Sequence, residues 1–90
     1  MDGSWRRAVA EATINAVKEF LPSGHRITLD TAMEVTAAQH SLIVVTVMLD
    51  AGDGEEFLAG TARVGEDRHT AVTKAVLHAL NRRLEMLLQK

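Results

Sequence analysis

The segment Leu42-Ile43-Val44-Val45-Thr46-Val47-Met48-Leu49 is the most informative part of the sequence, because both of its alternating faces are apolar. Successive side chains of a β-strand point to opposite faces. The odd-numbered residues of this stretch therefore share one face, and the even-numbered residues share the other. A strand with two apolar faces is normally covered on both sides, so we predict a central strand. The stretch is too short to span a bilayer.

Further strands are predicted on either side of it. The segment from Ile27 to Ala37 alternates apolar and polar residues, as in a half-buried strand with one wet face. One of its faces should carry Ile27, Leu29, Met33 and Val35. Residues 38–41 are predicted to form a turn, and residues 50–55, with two glycines, a hairpin loop. The third strand is predicted from Glu56 to Val64, with Leu58, Ala62 and Val64 pointing inward.

Helices are predicted at both ends of the chain. Ser4 can cap a helix that begins at Trp5 and is stopped by Pro22-Ser23-Gly24. Apolar residues recur along it at helical spacing: Val9, Ala10, Ile14, Ala16, Val17, Phe20 and Leu21. After Gly65, acidic residues at 66 and 67 suit the positive end of a second helix, whose core stripe is Val72, Val76, Ala79, Leu80, Leu84, Leu87 and Leu88.

This order predicts an α+β fold. Residues 1–90 should form a single α-β-β-β-α domain, with a three-stranded antiparallel sheet that carries both helices on one face. Two helices leave the other sheet face open, and an exposed apolar strip usually marks an interface. The sequence leaves open which face of the central strand the helices cover, and one such exposed strip is Leu42, Val44 and Met48 with Ala59 nearby. We therefore predict a homodimer or a dedicated protein partner. One alternative is that the long C-terminal helix wraps around the sheet and covers the strip. The other is that the exposed apolar strip is only modest in extent.

The two helices also echo each other. Ala8-Val9-x-x-Ala12-x-x-x-Ala16-Val17 is matched 63 residues later by Ala71-Val72-x-x-Ala75-x-x-x-Ala79-Leu80. The echo indicates either two helices that solve the same packing problem or a duplicated strands-then-helix unit. If the unit is duplicated, the chain holds one complete unit and only the helix of the other. Its sheet is then incomplete, and we expect it to pair with a partner.

The chain resembles a known family over nearly its whole length, and the motif is clearest in the C-terminal part. Gly60-x-x-x-Val64-Gly65-x-Asp67, followed by Ala71-x-x-x-Ala75-x-x-x-Ala79-Leu80-Asn81-Arg82-Arg83-Leu84, is similar to the end of the C-terminal regulatory domain of 2-isopropylmalate synthase. Related citramalate and homocitrate synthases carry similar domains. The resemblance implies a domain that pairs with another copy and binds a small effector, which is leucine in the family. The family's catalytic barrel is absent from these residues, so its condensation chemistry is not implied.

Two polar residues are candidate ligand-binding groups. His40 lies where the family has functional turn residues, although this turn reads Ala38-Gln39-His40-Ser41 in place of the family's glycine and acidic residue. Arg63 should lie on a strand face with Asp30 or Glu34 opposite, which predicts a cross-strand ion pair. The helix–strands–helix order also matches the double-stranded-RNA-binding fold. However, the start of the second helix carries acids at 66 and 67 where such domains place lysines.

Charge and composition exclude several function classes. A net charge of −2 and a pI near 6.0 argue against nucleic-acid binding and against docking on anionic membranes. There is no cysteine, and the four histidines lack metal-ligand spacing, so we expect no metal, no cofactor and no catalytic residue. The N-terminus lacks the basic-then-apolar pattern of a secretion signal, which favours a cytoplasmic protein.

These patterns favour a non-catalytic dimerising module that binds a protein partner or a small effector. One alternative is a small accessory enzyme with a pocket at the dimer interface, in which His40 or Arg63 supplies the polar groups. The other alternative is an RNA-binding domain.

Overall fold

The computed structural model describes residues 4–52 and 54–88, without the side chains of residues 82, 84, 87 and 88. It contains two helices and one antiparallel sheet in which the strands lie in chain order. The elements are α1 (Ser4–Lys18), β1 (Arg26–Ala37), β2 (His40–Asp50), β3 (Glu55–Arg63) and α2 (Arg68–Leu88). The predicted α+β fold is confirmed. Predictions for the side chains of Leu84, Leu87 and Leu88 fall outside the described residues.

The core lies between the two helices and one face of the sheet, as predicted. The odd-numbered residues of β2 from Ile43 to Leu49 are at most 2% exposed. α2 covers them with Ala71, Val72, Ala75, Val76, Ala79 and Leu80, and α1 completes the core over β1 with Ala10, Ile14 and Val17. Leu58, Ala62 and Val64 pack against this cluster. The helices also contact each other, since the hydroxyl oxygens of Thr13 and Thr73 lie 3.3 Å apart.

The sequence echo between the helices does not extend to their packing. In α2 the echoed alanines, Ala71, Ala75 and Ala79, are buried, whereas Ala8, Ala12 and Ala16 of α1 are exposed. α1 also ends at Lys18, so Phe20 falls in the following turn and is 70% exposed rather than part of an apolar face. α2 lies over β2 and β3, and α1 lies beside it over β1.

Gly60 explains why the alanine stripe of α2 can lie directly on β3. A Cβ atom on Gly60 would collide with the backbone of Ala75 and of Ala79. The backbones of the strand and the helix therefore approach more closely than any other residue at position 60 would permit. This contact fixes the height of α2 above the sheet.

A β-bulge in β1 overturns the predicted alternation of that strand. The pairing of β1 with β2 shifts between Leu29 and Thr31, which leaves Asp30 as the extra residue. Before the bulge, Ile27 and Leu29 face the helices and are buried. After it, Glu34 pairs with buried Ile43 on the helix side, and Met33 and Val35 lie on the opposite face. The prediction that these four apolar residues share one face is wrong, because one extra residue exchanges every later side chain between faces.

The hairpin between β1 and β2 is tighter than predicted. Ala38 and Gln39 form the whole turn, with φ angles of 52° and 67°. Two-residue hairpin turns commonly need positive φ at both central residues, because that twist matches the twist of the strands. His40 is consequently the first residue of β2, paired with Ala37, and not a turn residue.

Both edges of the sheet carry a polar side chain from a helix. At the β1 edge, the Arg7 guanidinium donates hydrogen bonds to the carbonyl oxygens of Asp30 (3.2 Å) and Leu29 (3.4 Å). At the β3 edge, the backbone N–H of Thr61 donates to Nδ1 of His78 at 3.0 Å. Proteins commonly cover edge-strand groups in this way to prevent pairing with another chain.

Candidate binding face

The helices leave the second face of the sheet uncovered. We call it the open face. Because residues paired across neighbouring strands share a face, the register defines its central part: Thr28, Thr31, Met33 and Val35 of β1; Leu42, Val44, Thr46 and Met48 of β2; and Phe57, Ala59, Thr61 and Arg63 of β3.

The open face is largely apolar. Met33 is 45% exposed and Phe57 is 58% exposed, and both have large side chains. Leu42, Val44 and Met48 lie between them on the central strand, where their strand neighbours leave them half-buried. A contiguous apolar surface of this kind often marks an interaction site.

All six residues predicted for a site from the sequence lie on this face. Leu42, Val44, Met48 and Ala59 belong to its middle. Arg63 is paired with Leu42 at one end, and His40 lies at the start of β2, two residues before Leu42 on the same side. The structure therefore brings the predicted apolar strip and the two predicted polar groups to one surface.

The predicted partner of Arg63 is wrong. Glu34 is on the helix side of the sheet, where its carboxylate lies 3.4 Å from the Arg68 guanidinium of α2. Asp30 lies on the bulge of β1 and accepts hydrogen bonds from the hydroxyls of Thr46 (2.9 Å) and Thr31 (3.0 Å). β2 separates Asp30 from Arg63. In the part of the chain that the structure describes, Arg63 makes no ion pair.

Two large apolar residues of the face were missed in the sequence. Phe57 had a usable signal, since Leu58 was expected to point inward and its neighbour must then point outward. Met33 had none, because the bulge that turns it outward leaves the alternation of β1 apparently regular.

Two cavities border α2, and each includes one residue of the open face, Ala59 in the first and Arg63 in the second. A groove of about 540 Å³ runs between β3 and α2, lined mainly by Glu56, Leu58, His78, Asn81, Arg83 and Glu85. Nε of Arg83 lies 2.9 Å from the Glu56 carboxylate within it. A cavity of about 280 Å³ lies beside the start of α2, between Arg63 and Lys74. Small-molecule sites are mostly apolar with few polar groups, whereas several charged side chains line both of these cavities.

The acidic start of α2 serves the helix itself. The Asp67 carboxylate accepts hydrogen bonds from the Thr70 hydroxyl (2.8 Å) and the backbone N–H of His69 (2.9 Å). These bonds, that from Thr70 foremost, lower the pKa of Asp67 below its ordinary value of 3.8. A carboxylate in this position satisfies donors of the first helical turn that lack a helical partner.

Other signs of a specific function are not found within residues 4–52 and 54–88. No three side chains of histidine, aspartate or glutamate lie together as metal ligands would. No helix in this part of the chain is long and apolar enough to cross a membrane. Comparison of the chain with protein-family models, with curated proteins and with solved structures gives no match.

Proposed function

We propose that this chain is a non-catalytic pairing module that forms a homodimer through its open face. The observation that carries the proposal is the continuous apolar surface from Met33 across Val44 and Met48 to Phe57. Apolar surface exposed to water is unfavourable, and stacking two such sheets removes it from water.

The size of the face supports a modest rather than a permanent dimer. Three strands spaced about 4.8 Å apart, each with about nine residues rising about 3.3 Å, give a footprint of roughly 30 Å by 14 Å. Two such faces would together bury on the order of 1,000 Å², which is the lower limit for a specific interface. We therefore expect a micromolar dissociation constant.

The capped edges favour stacking over edge-to-edge pairing. A strand that pairs with β3 must displace His78 from the Thr61 N–H, and one that pairs with β1 meets Arg7 on the carbonyls of Leu29 and Asp30. Stacking leaves all three side chain–backbone hydrogen bonds in place. It also buries the apolar side chains that edge pairing would leave in water.

The test is the mass in solution by light scattering or sedimentation over a dilution series. The wild-type chain should be a dimer at tens of micromolar and dissociate on dilution. Met48→Glu should raise the dissociation constant by at least roughly 100-fold, because each copy would bury one unpaired carboxylate. Each factor of ten in the dissociation constant corresponds to about 1.4 kcal/mol of binding free energy. Its far-UV circular dichroism should remain that of the wild type.

Leu77→Glu is the matched control. Leu77 is 41% exposed on α2, away from the open face, so the same change of an apolar residue to glutamate should leave the dimer intact. A wild-type monomer at several hundred micromolar would refute the proposal. Dimers of Met48→Glu as tight as those of the wild type would also refute it.

A further inference from the structure

The charges of the open face are gathered at its two ends. At one end the register aligns Arg26, Asp50 and Glu55 across the three strands, so two carboxylates accompany one guanidinium. At the other end the face carries Arg63 and, beyond it, His40. Among the described residues, Glu55 and Arg63 take part in no ion pair within the chain. The face therefore carries two carboxylates with Arg26 at one end, Arg63 and His40 at the other, and apolar residues and threonines between them. Arg63 also lines the cavity beside α2 with Glu66 and Asp67.

We propose that the partner on this face is a second copy laid antiparallel, with the two-fold axis crossing the strands between Val44 and Thr46. This inference rests on the proposed function and adds an orientation to it. Each β3 then lies over the β3 of the other copy in the opposite direction. His40 of one copy comes to Asp50 of the other. Arg63 falls opposite Phe57, and Glu55 lies two residues further along the same strand, about 6.6 Å away, within reach of the long Arg63 side chain. Both contacts occur twice, as a two-fold axis requires.

The apolar residues also match in this orientation. Met48 of one copy falls opposite Leu42 of the other, and Phe57 falls beneath the aliphatic stem of Arg63 of the other copy. An arginine over an aromatic face is favourable, and its stem covers apolar surface. Val44 and Thr46 of β2 flank the axis, as do Thr61 and Ala59 of β3, so no long side chain of these two strands lies at the centre of two sheets about 10 Å apart.

The other aligned orientation, with the axis along the strands, is less complementary. It would pair Glu55 with Arg26 of the second copy, but it sets Asp50 against Asp50 and Arg63 against Val35. An orthogonal stack is worse still, because two strips about 14 Å wide overlap over less than half of their length. The antiparallel stack has one like-charge approach, between the Asp30 carboxylates. Each of these already accepts two threonine hydrogen bonds at the β1 side of the sheet.

Charge reversal tests the orientation. Arg63→Glu alone and Glu55→Arg alone should each weaken the dimer about tenfold, because each turns two attractive contacts into two repulsive ones. The double variant Arg63→Glu/Glu55→Arg should return to within about threefold of the wild type, since it restores both pairs. An equimolar mixture of the two single variants should likewise form a heterodimer. Dissociation constants come from sedimentation equilibrium, with circular dichroism as a check on folding.

The control is the double variant Arg26→Glu/Glu55→Arg. It restores the binding lost in Glu55→Arg only if the dimer has its axis along the strands. Rescue by this pair and not by Arg63→Glu/Glu55→Arg would overturn the antiparallel arrangement and leave the open-face dimer standing. The same holds if all reversals are neutral while Met48→Glu still dissociates the dimer. A wild-type chain that never dimerises removes the proposed function and the orientation together.

Discussion

The contact between Gly60 and α2 gives the sharpest stability prediction. Gly60→Ala adds one methyl group where the backbone atoms of Ala75 and Ala79 already stand. Because backbone cannot rotate aside as a flexible side chain does, the helix or the strand must move. Overpacking in a core typically costs about 1–3 kcal/mol, and this site belongs at the upper end, near about 3 kcal/mol.

A loss of this size is a large fraction of the free energy of unfolding of a 90-residue chain. At about 0.05–0.15 kcal/mol per residue, a 90-residue chain has a free energy of unfolding of roughly 5–13 kcal/mol. A loss of about 3 kcal/mol should lower the melting temperature by roughly 12–24 °C. Urea unfolding followed by circular dichroism measures the free energy, and all variants must be compared at one protein concentration because dimerisation stabilises the folded chain.

Gly65→Ala is the matched control. A Cβ atom there meets nothing within 4 Å, so the same substitution should be neutral or stabilise by up to about 1 kcal/mol through the unfolded chain. If Gly60→Ala unfolds within about 0.5 kcal/mol of the wild type, the close approach of α2 to β3 is wrong.

Three further outcomes are expected. Leu80→Ala should lower the free energy of unfolding by about 2–5 kcal/mol in urea, because Leu80 is 1% exposed and its loss leaves a cavity; a cost below about 1 kcal/mol would contradict its burial. Asp67→Ala should lower the melting temperature at neutral pH. Because the pKa of Asp67 is lowered on folding, its contribution is complete above about pH 3.8 and disappears as the pH falls through the lower folded-state value. A difference in melting temperature that stays constant down to pH 2 would refute this role. His78→Ala should speed hydrogen exchange of the Thr61 amide, measured by NMR, while the Ala62 amide, which faces β2, exchanges as before. Unchanged exchange at Thr61 would mean that another group covers the edge.

The element order was predictable because the apolar residues of each segment recur at one dominant spacing, that of a strand or that of a helix. The two-faced apolarity of β2 correctly identified the central strand, and the alternation in β3 correctly gave its inward residues, Leu58 and Ala62. Burial follows such patterns when an element packs along its whole length. The helix stripe Val72, Val76 and Leu80 is buried for the same reason.

The errors arose where a single residue or contact overrides the period. Asp30 adds one residue to β1 and turns Met33 outward, and nothing in the local alternation reveals it. The alanines of α1 match those of α2 in spacing, yet only α2 has a glycine beneath it that admits close packing. The partner assigned to Arg63 on β1 conflicts with the central position of β2, which separates the two outer strands.

The two edge caps also set a limit on copy number. A sheet with bare edges can recruit strands one after another, and the product is a fibre. Here Arg7 and His78 occupy backbone groups at both edges. A face that pairs with the same face of a second copy about a two-fold axis is fully covered by that one copy. Assembly through the described part of the chain would therefore stop at two copies. Raising the concentration would increase the fraction of dimer without producing larger species.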